Sequence, residues 1–189
     1  QPIRKLSFKY MFELRPEECA ELNMALCAFI TLLHSQLESL TFFVVNSDLL
    51  NGLRFVPPMT QLQKLDLSES SYENSGERIA DVLRHCPNLT DLNLSSCQQN
   101  GNDLAAIGSV SCSLLEIFDI SNNFLTSHGM KSVAAMLKGC HQIRQVYFDD
   151  YHSKDKVSGT SEVLASLANK QHLERLQCTD VDSGAAHHL

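Results

Sequence analysis

The stretch Cys86-Pro-Asn-Leu-Thr-Asp-Leu-Asn-Leu-Ser-Ser-Cys97 carries the pattern that decides the fold. Its leucines stand at 89, 92 and 94, a spacing that fits neither a helix nor a simple alternating strand. A short strand turns alternate residues to the same face, so Leu92 and Leu94 both point inward. Leu89 enters the core as the chain turns into the strand. Cys97 follows the strand, where its side chain can hold backbone groups of the turn.

The same spacing recurs along the chain as L-x-x-L-x-L-x-x-(N/C), with other large apolar residues in place of some leucines. Only Cys97 and Asn123 match the consensus at position nine, so regular turns are not expected at the two ends of the chain. The seven copies begin at Ile3, Leu37, Leu62, Leu89, Leu115, Ile143 and Leu173, which are 25 to 34 residues apart. Seven copies in order indicate a repeat architecture, in which stacked neighbours bury a shared core.

Between these segments the apolar period changes from about 2 to about 3.6 residues, which predicts helices. Asn74, with Glu77 three residues later, resembles a capping box at the start of one helix. Leu22 belongs to a predicted apolar stripe with Leu26, Ile30 and Leu33 in the long first connection. The second connection contains Pro57-Pro58, which forbids a regular helix there, so a short helix or loop is expected.

The repeats resemble a known family. Residues 60–150, and above all "SNNFLTSHGMKSVAAMLKGCHQIRQVYF", resemble the ribonuclease-inhibitor-like class of leucine-rich repeats, the usual sensor end of NOD-like receptors. The segment "HCPNLTDLNLSSC" is also similar to the cysteine-containing repeats of F-box substrate adaptors. The resemblance implies an α/β leucine-rich-repeat solenoid, an open horseshoe with a parallel sheet of about seven short strands on the concave side and helices on the convex side.

The predicted organisation is one repeat domain over residues 1–182, followed by a tail at 183–189 that is disordered or vector-derived. No polar capping unit is obvious at either end, so we expect the domain to be attached to further domains in a longer protein. The strands are predicted near 3–8, 37–42, 62–67, 89–94, 115–120, 143–148 and 173–178.

Composition narrows the classes of partner. The 189 residues carry a formal net charge of −7, which argues against a nucleic-acid binder. No apolar run is long enough for a membrane span. The seven cysteines form no C-x-x-C pair, and most stand at apolar-periodic positions where a thiol acts as a small hydrophobe. Reduced cysteines favour a cytoplasmic location.

The residues expected to bind a partner lie on the concave face, at template positions 5, 7 and 8 and at position 3 of one repeat. Most are acidic, which favours a basic protein or peptide as the partner. The alternative is a solvated face that keeps the protein soluble. Phe43, in the second repeat, is expected as an exposed apolar residue at the N-terminal end of the concave face, unless a helix or a neighbouring domain covers it. The set is Phe43, Asp66, Glu69, Asp91, Asp119, Tyr147, Asp149, Asp150 and Asp180.

The sequence gives little support for a catalytic site or a metal-binding site. The chain has no P-loop, G-x-G-x-x-G, G-x-S-x-G or H-E-x-x-H motif, so we expect no enzyme and no cofactor. Asp149-Asp150 beside His152 resembles an acid/base cluster, but a lone cluster on a loop is not specific. Histidines and cysteines recur one repeat apart, which is unlike the closely paired ligands of structural zinc, so no metal site is expected.

The function predicted from these features is a non-catalytic protein–protein interaction or ligand-sensing module. The resemblance implies the repeat domain of a larger intracellular innate-immune or signalling receptor of the NOD-like kind. The alternative is the substrate-recognition repeat domain of an F-box-type ubiquitin ligase adaptor.

Overall fold

The computed structural model describes residues 2–9, 16–43, 48–149 and 159–178. Within these ranges, strands and helices alternate along the chain. They are β1 (Lys5–Lys9), α1 (Pro16–Leu33), β2 (Ser39–Phe43), α2 (Asp48–Leu53), β3 (Lys64–Asp66), α3 (Gly76–Arg84), β4 (Asp91–Asn93), α4 (Gly101–Gly108), β5 (Ile117–Asp119), α5 (Ser127–Gly139), β6 (Gln145–Tyr147), α6 (Thr160–Leu167) and β7 (Arg175–Gln177). The tail predicted at 183–189 lies outside the described residues.

The strands of the described chain form one seven-stranded sheet in which every pair is parallel and spatial order follows chain order. Each strand begins two residues after the start of its predicted segment. The fourth template position pairs with itself across the sheet, as Leu65 with Leu92 and Leu92 with Phe118. The predicted α/β class and the parallel sheet of seven short strands are therefore confirmed.

The core lies between one face of this sheet and the helices. Leu92 and Leu94, at template positions 4 and 6, are both 0% exposed, as the alternation of a strand requires. Ile79 and Leu83, one helical turn apart on α3, join the same cluster of buried side chains. Each fully buried aliphatic side chain contributes about 1.5–3 kcal/mol relative to exposure. The repeated triplet is thus the source of the core in the middle of the chain.

The turn after each central strand is built alike. Glu69, Ser96 and Asn122, all at template position 8, have left-handed backbone with φ of 55°, 56° and 56°. At position 9, the Cys97 thiol donates to the Leu67 carbonyl at 3.0 Å. The Asn123 amide donates to the equivalent carbonyl of the next repeat, that of Leu94, at 2.8 Å. The prediction that position 9 holds backbone groups is confirmed for these two residues.

The capping box lies one repeat later than predicted. Helix α3 follows Ser75, which makes no side-chain cap, and Asn74 has φ 55°. The box forms instead at α4, where Asn100 accepts from the Asp103 N–H and the Asp103 carboxylate accepts from the Asn100 N–H. Asp103 also accepts from the Gly76 N–H at 2.8 Å. One carboxylate thereby serves the first turns of two neighbouring helices.

The first two connections form helices of unequal length. The short α2 ends before Pro57-Pro58, as expected. In α1, Leu26 and Ile30 are buried, but Leu22 is 37% exposed and does not belong to the core stripe predicted for it. None of the helices in the described ranges is both long and apolar enough to cross a membrane.

Candidate functional site

The sheet face opposite the core carries template positions 3, 5 and 7. The parallel register places the same template position of successive strands side by side, so each position forms a row across the sheet. In the row at position 5, Asp66 is paired with Asn93, Asn93 with Asp119, and Asp119 with Tyr147. The predicted binding residues on different repeats therefore meet on one surface.

Three carboxylates interact on this surface. Burial raises the pKa of Asp119 above its ordinary value, and the carboxylates of Asp149 and Asp66 raise it further. Hydrogen bonds from Ser121 partly oppose this, including one from its backbone N–H to Asp119 Oδ1 at 2.9 Å. The ionised form of Asp119 is therefore destabilised by its surroundings. We call Asp66, Glu69, Asp119 and Asp149 the acidic sheet face.

Two of the predicted acidic residues are buried. Asp66 is 8% exposed, and its Oδ1 accepts from both the N–H and the hydroxyl of Ser68, at 3.1 and 2.7 Å. Asp149 is 2% exposed, and its Oδ2 accepts from the Gln177 amide at 2.5 Å. The exposed part of the predicted binding face is therefore smaller than expected. Their charges still act on Asp119.

Asp91 stands apart from the other acids. It lies at position 3, and its Oδ2 accepts from Lys64 Nζ at 2.9 Å across the β3–β4 pair. That row also carries Lys5 and Arg175, so its sign is mixed. Glu69 is exposed on the left-handed turn after β3. Negative charge thus concentrates toward the carboxyl ends of the strands.

Tyr147 borders the carboxylates at position 5 of β6. Its hydroxyl donates to Gln145 Oε1 at 2.8 Å, and the guanidinium of Arg175 lies 5.4 Å from the ring centroid. The ring is partly exposed and held on two sides. A pre-oriented aromatic beside carboxylates is the kind of residue that dominates binding energy at protein interfaces.

The remaining predicted residues divide into two groups. Phe43 is partly exposed at the end of β2, beside Lys9 on β1. Both lysines of β1, Lys5 and Lys9, are exposed. Asp150 and Asp180 lie outside the described residues, and so does His152.

No group of three or more histidine, cysteine or acidic side chains within the described ranges is arranged to hold a metal. All seven cysteines are free thiols. Burial raises the pKa of Cys86, Cys97 and Cys140 to about 12 in each case, so these thiols stay protonated at neutral pH. All three side chains are buried in the core.

Sequence reasoning missed the local hydrogen bonds that fix the position-5 side chains of three repeats. The signal was present as a D/N-x-S spacing in three successive repeats. Asn93 accepts from the N–H and hydroxyl of Ser95, just as Asp66 does from Ser68. Asp119 and Ser121 repeat the arrangement. The contact of Arg175 with Tyr147 had no local signal.

A comparison with protein-family models gives no match for this chain, and a comparison with curated proteins gives none either.

Proposed function

We propose that this chain is a leucine-rich-repeat recognition module that binds another protein without chemically altering it. The support is the in-register recurrence of one triplet across seven parallel strands, with the same left-handed turn after the three central ones. Such stacking builds a curved solenoid with the sheet on its concave side. A pre-formed surface of this kind loses little conformational entropy on binding, which suits recognition.

The partner we propose is a basic protein or peptide held on the acidic sheet face. The observation that carries this is the row at template position 5, in which the parallel register sets Asp66, Asn93, Asp119 and Tyr147 side by side. Burial, and the nearby carboxylates of Asp149 and Asp66, raise the pKa of Asp119 in this row. A Lys or Arg side chain placed there would lower the electrostatic cost of ionising Asp119. Tyr147 offers a ring for packing against the aliphatic part of such a side chain.

The parent we propose is a cytoplasmic receptor of the NOD-like kind, in which such a domain senses ligand or holds the receptor inactive. The seven free thiols favour a reducing compartment. The substrate arm of an F-box-type adaptor is the second candidate, supported by Cys97 in its position-nine hydrogen bond. A nucleotide-binding domain upstream in the full reading frame supports the first, and an F-box supports the second.

The test is a pull-down with wild type and Asp119→Lys, followed by direct titration of the captured protein at low and high salt. Wild type should bind a basic partner with an affinity that falls with salt, because exposed charges are screened. Asp119→Lys should weaken binding by at least about tenfold.

The matched control is Glu77→Lys, which makes the same change of net charge on the exposed side of α3. It should bind as wild type does. Equal binding by Asp119→Lys, or a partner insensitive to salt, would remove the acidic sheet face from the proposal.

A further inference from the structure

Helix α1 is apolar on the side that faces solvent as well as on the side that faces the core. Leu26 and Ile30 are 7% and 0% exposed and fill the core side. The solvent side carries a second set of apolar side chains. This set and Phe55, which follows α2, are together called the α1 face. Its members are Leu22 (37% exposed), Met24 (67%), Phe29 (39%), Leu32 (78%) and Phe55 (76%). Large apolar side chains grouped on the solvent side of a helix normally mark a surface that is covered by other protein.

A cleft runs into this surface between α1 and α2. It has a volume of about 490 Å³, and Met24, Ala28 and Phe55 are among its mostly apolar lining residues. The two helices approach closely beneath it, since a Cβ on Gly52 would lie 2.4 Å from Cys27 Sγ. The cleft is large enough for one bulky aliphatic or aromatic side chain. It is therefore suited to an anchor residue within a broader apolar contact.

The charges on α1 point to the chemistry of the occupant. Helix α1 contains Glu17, Glu18 and Glu21 and neither lysine nor arginine. Glu17 and Glu18 already interact within the chain, so Glu21 is the acid of the three that we match to a partner. Glu21 is exposed and lies one turn before Ala25, on the apolar solvent side. A second copy of the chain would bring its own α1 acids. The cation beside its Phe55, Arg54, already lies 4.9 Å from that ring's centroid and 3.9 Å from Asp81 Oδ2. A partner with basic residues beside its apolar stripe complements this helix.

We propose that the α1 face is a docking site for an amphipathic helical segment of another protein, with a large apolar anchor in the cleft and Lys or Arg over Glu21. This goes beyond the proposed function, because α1 packs its buried side into the core, whereas the acidic sheet face lies on the opposite side of the sheet. Two surfaces would let the module hold two partners at once.

The first test uses a synthetic 14-residue Leu/Lys peptide with leucines at helical i, i+3 and i+4 spacing, added to the full chain labelled with ¹³C at the methionine methyls. Met24 should shift on titration. Met59 and Met130 are 0% exposed and should stay in place as internal references. The same peptide with Glu in place of Lys should bind at least about tenfold more weakly.

The second test measures the affinity of the labelled Leu/Lys peptide for variants by fluorescence anisotropy. Leu32→Gln and Phe55→Ser should each weaken binding by at least about tenfold. Glu21→Gln should weaken it and reduce its salt dependence. The matched control is Phe124→Gln, because Phe124 is 53% exposed and lies outside the α1 face.

Three results would overturn the inference. The first is an unshifted Met24 methyl, or equal binding of the Glu peptide. The second is loss of peptide binding in Asp119→Asn with full binding in Leu32→Gln, which would assign the peptide to the acidic sheet face. The third is a wild-type dimer in sedimentation that Leu32→Gln dissociates, which would make a second copy the occupant. The first result leaves the proposed function intact.

Discussion

Asn123 is a buried polar side chain that joins two neighbouring turns. Its Oδ1 accepts from the N–H groups of Cys97 and Gln99 at 3.1 and 2.9 Å. Its Nδ2 donates to the carbonyls of Leu94 and Ile120 at 2.8 and 2.9 Å. Buried backbone groups need hydrogen-bond partners, and the Asn123 side chain is the partner of four such groups. The consensus asparagine of the sequence pattern thus has a physical explanation at this position.

Asn123→Ala should lower the free energy of unfolding by about 3 kcal/mol, because buried backbone groups lose their partners without access to water. Asn88→Ala is the matched control. Asn88 is exposed and donates one hydrogen bond, to the Thr60 carbonyl, so its loss should cost under about 1 kcal/mol. Urea denaturation of both variants measures the difference. Equal costs would contradict the role assigned to Asn123.

Asp119 and Asn93 occupy the same template position with the same hydrogen bond. Each accepts through its Oδ1 from the backbone N–H of the serine two residues on, at 2.9 and 3.0 Å. Only Asp119 carries a charge, and burial together with nearby carboxylates raises its pKa. The native state therefore binds its proton more tightly than the unfolded chain does. Stability from this group is present at low pH and is lost as pH rises through the native pKa.

Asp119→Asn should therefore unfold at a slightly higher temperature than wild type at pH 7, because its free energy of unfolding is larger by at most about 1 kcal/mol. The gain should vanish below the unfolded pKa of about 3.8, where wild type is protonated in both states. Thermal melts across this pH range measure it. Asp91→Asn is the control and should give no gain, because Asp91 is paired with Lys64. A gain for Asp119→Asn that persists at pH 3 would contradict the electrostatic origin.

At the level of whole elements, glycines set the distance between successive helices. A Cβ on Gly108 of α4 would lie 2.7 Å from the carbonyl carbon and oxygen of Ser132 on α5. A Cβ on Gly76 would lie 2.3 Å from the Cα of Asp103. At both glycines, the backbone of one helix lies directly against the next helix, so there is no room for a methyl group. Gly139, at the end of α5, meets nothing within 4 Å.

Gly108→Ala should destabilise the protein by about 1–3 kcal/mol, since α4 must move away from α5 to accept the methyl group. Gly139→Ala should stabilise it by about 0.4–1 kcal/mol, because alanine restricts the unfolded chain and meets no obstacle. Both variants replace glycine by alanine, so the difference between their thermal unfolding curves measures the effect of helix spacing. A neutral Gly108→Ala would contradict close α4–α5 packing.

For the molecule as a whole, contacts between helices and pairing between strands join successive elements within the described chain. Each strand pairs with its neighbours in sequence, and each helix contacts the helices before and after it. Stability in such an arrangement is close to a sum of unit and interface terms. The proposed solenoid should therefore tolerate loss of one whole unit.

Deletion of residues 89–114 removes β4 and α4 and joins Asn88 to Leu115, which holds the template position of Leu89. The product should fold with one cooperative transition and a smaller urea m-value, since less surface is exposed on unfolding. Deletion of residues 89–101 alone breaks the register of the triplets and should abolish cooperative unfolding. Circular dichroism with urea titration measures both. Loss of folding in the first deletion would count against the repeat architecture.

The residues of the acidic sheet face show why a binding surface is harder to predict than a strand. Strand alternation placed Asp66, Asp119 and Asp149 on one side correctly, because side-chain direction depends only on local backbone. Their exposure depends on partners from other repeats. Gln177 covers Asp149 from 28 residues away, and Lys64 pairs with Asp91 from 27 residues away. No spacing within one repeat encodes these distances.

The seven apolar triplets were sufficient to locate the seven strands of the described residues and the inward residues of the central repeats, because alternation along a short strand is a property of the local backbone. In the first triplet, Ile3 is 43% exposed, although the template predicts that it enters the core. The N-terminal caps of the helices and the buried side of α1 could be determined only from the folded chain. The capping box was predicted at Asn74 and lies at Asn100. At the start of α3, the Gly76 N–H donates instead to Asp103 of the next repeat. Leu22 satisfies the helical period and yet faces solvent, since periodicity gives a residue its side of a helix and packing decides what lies against that side.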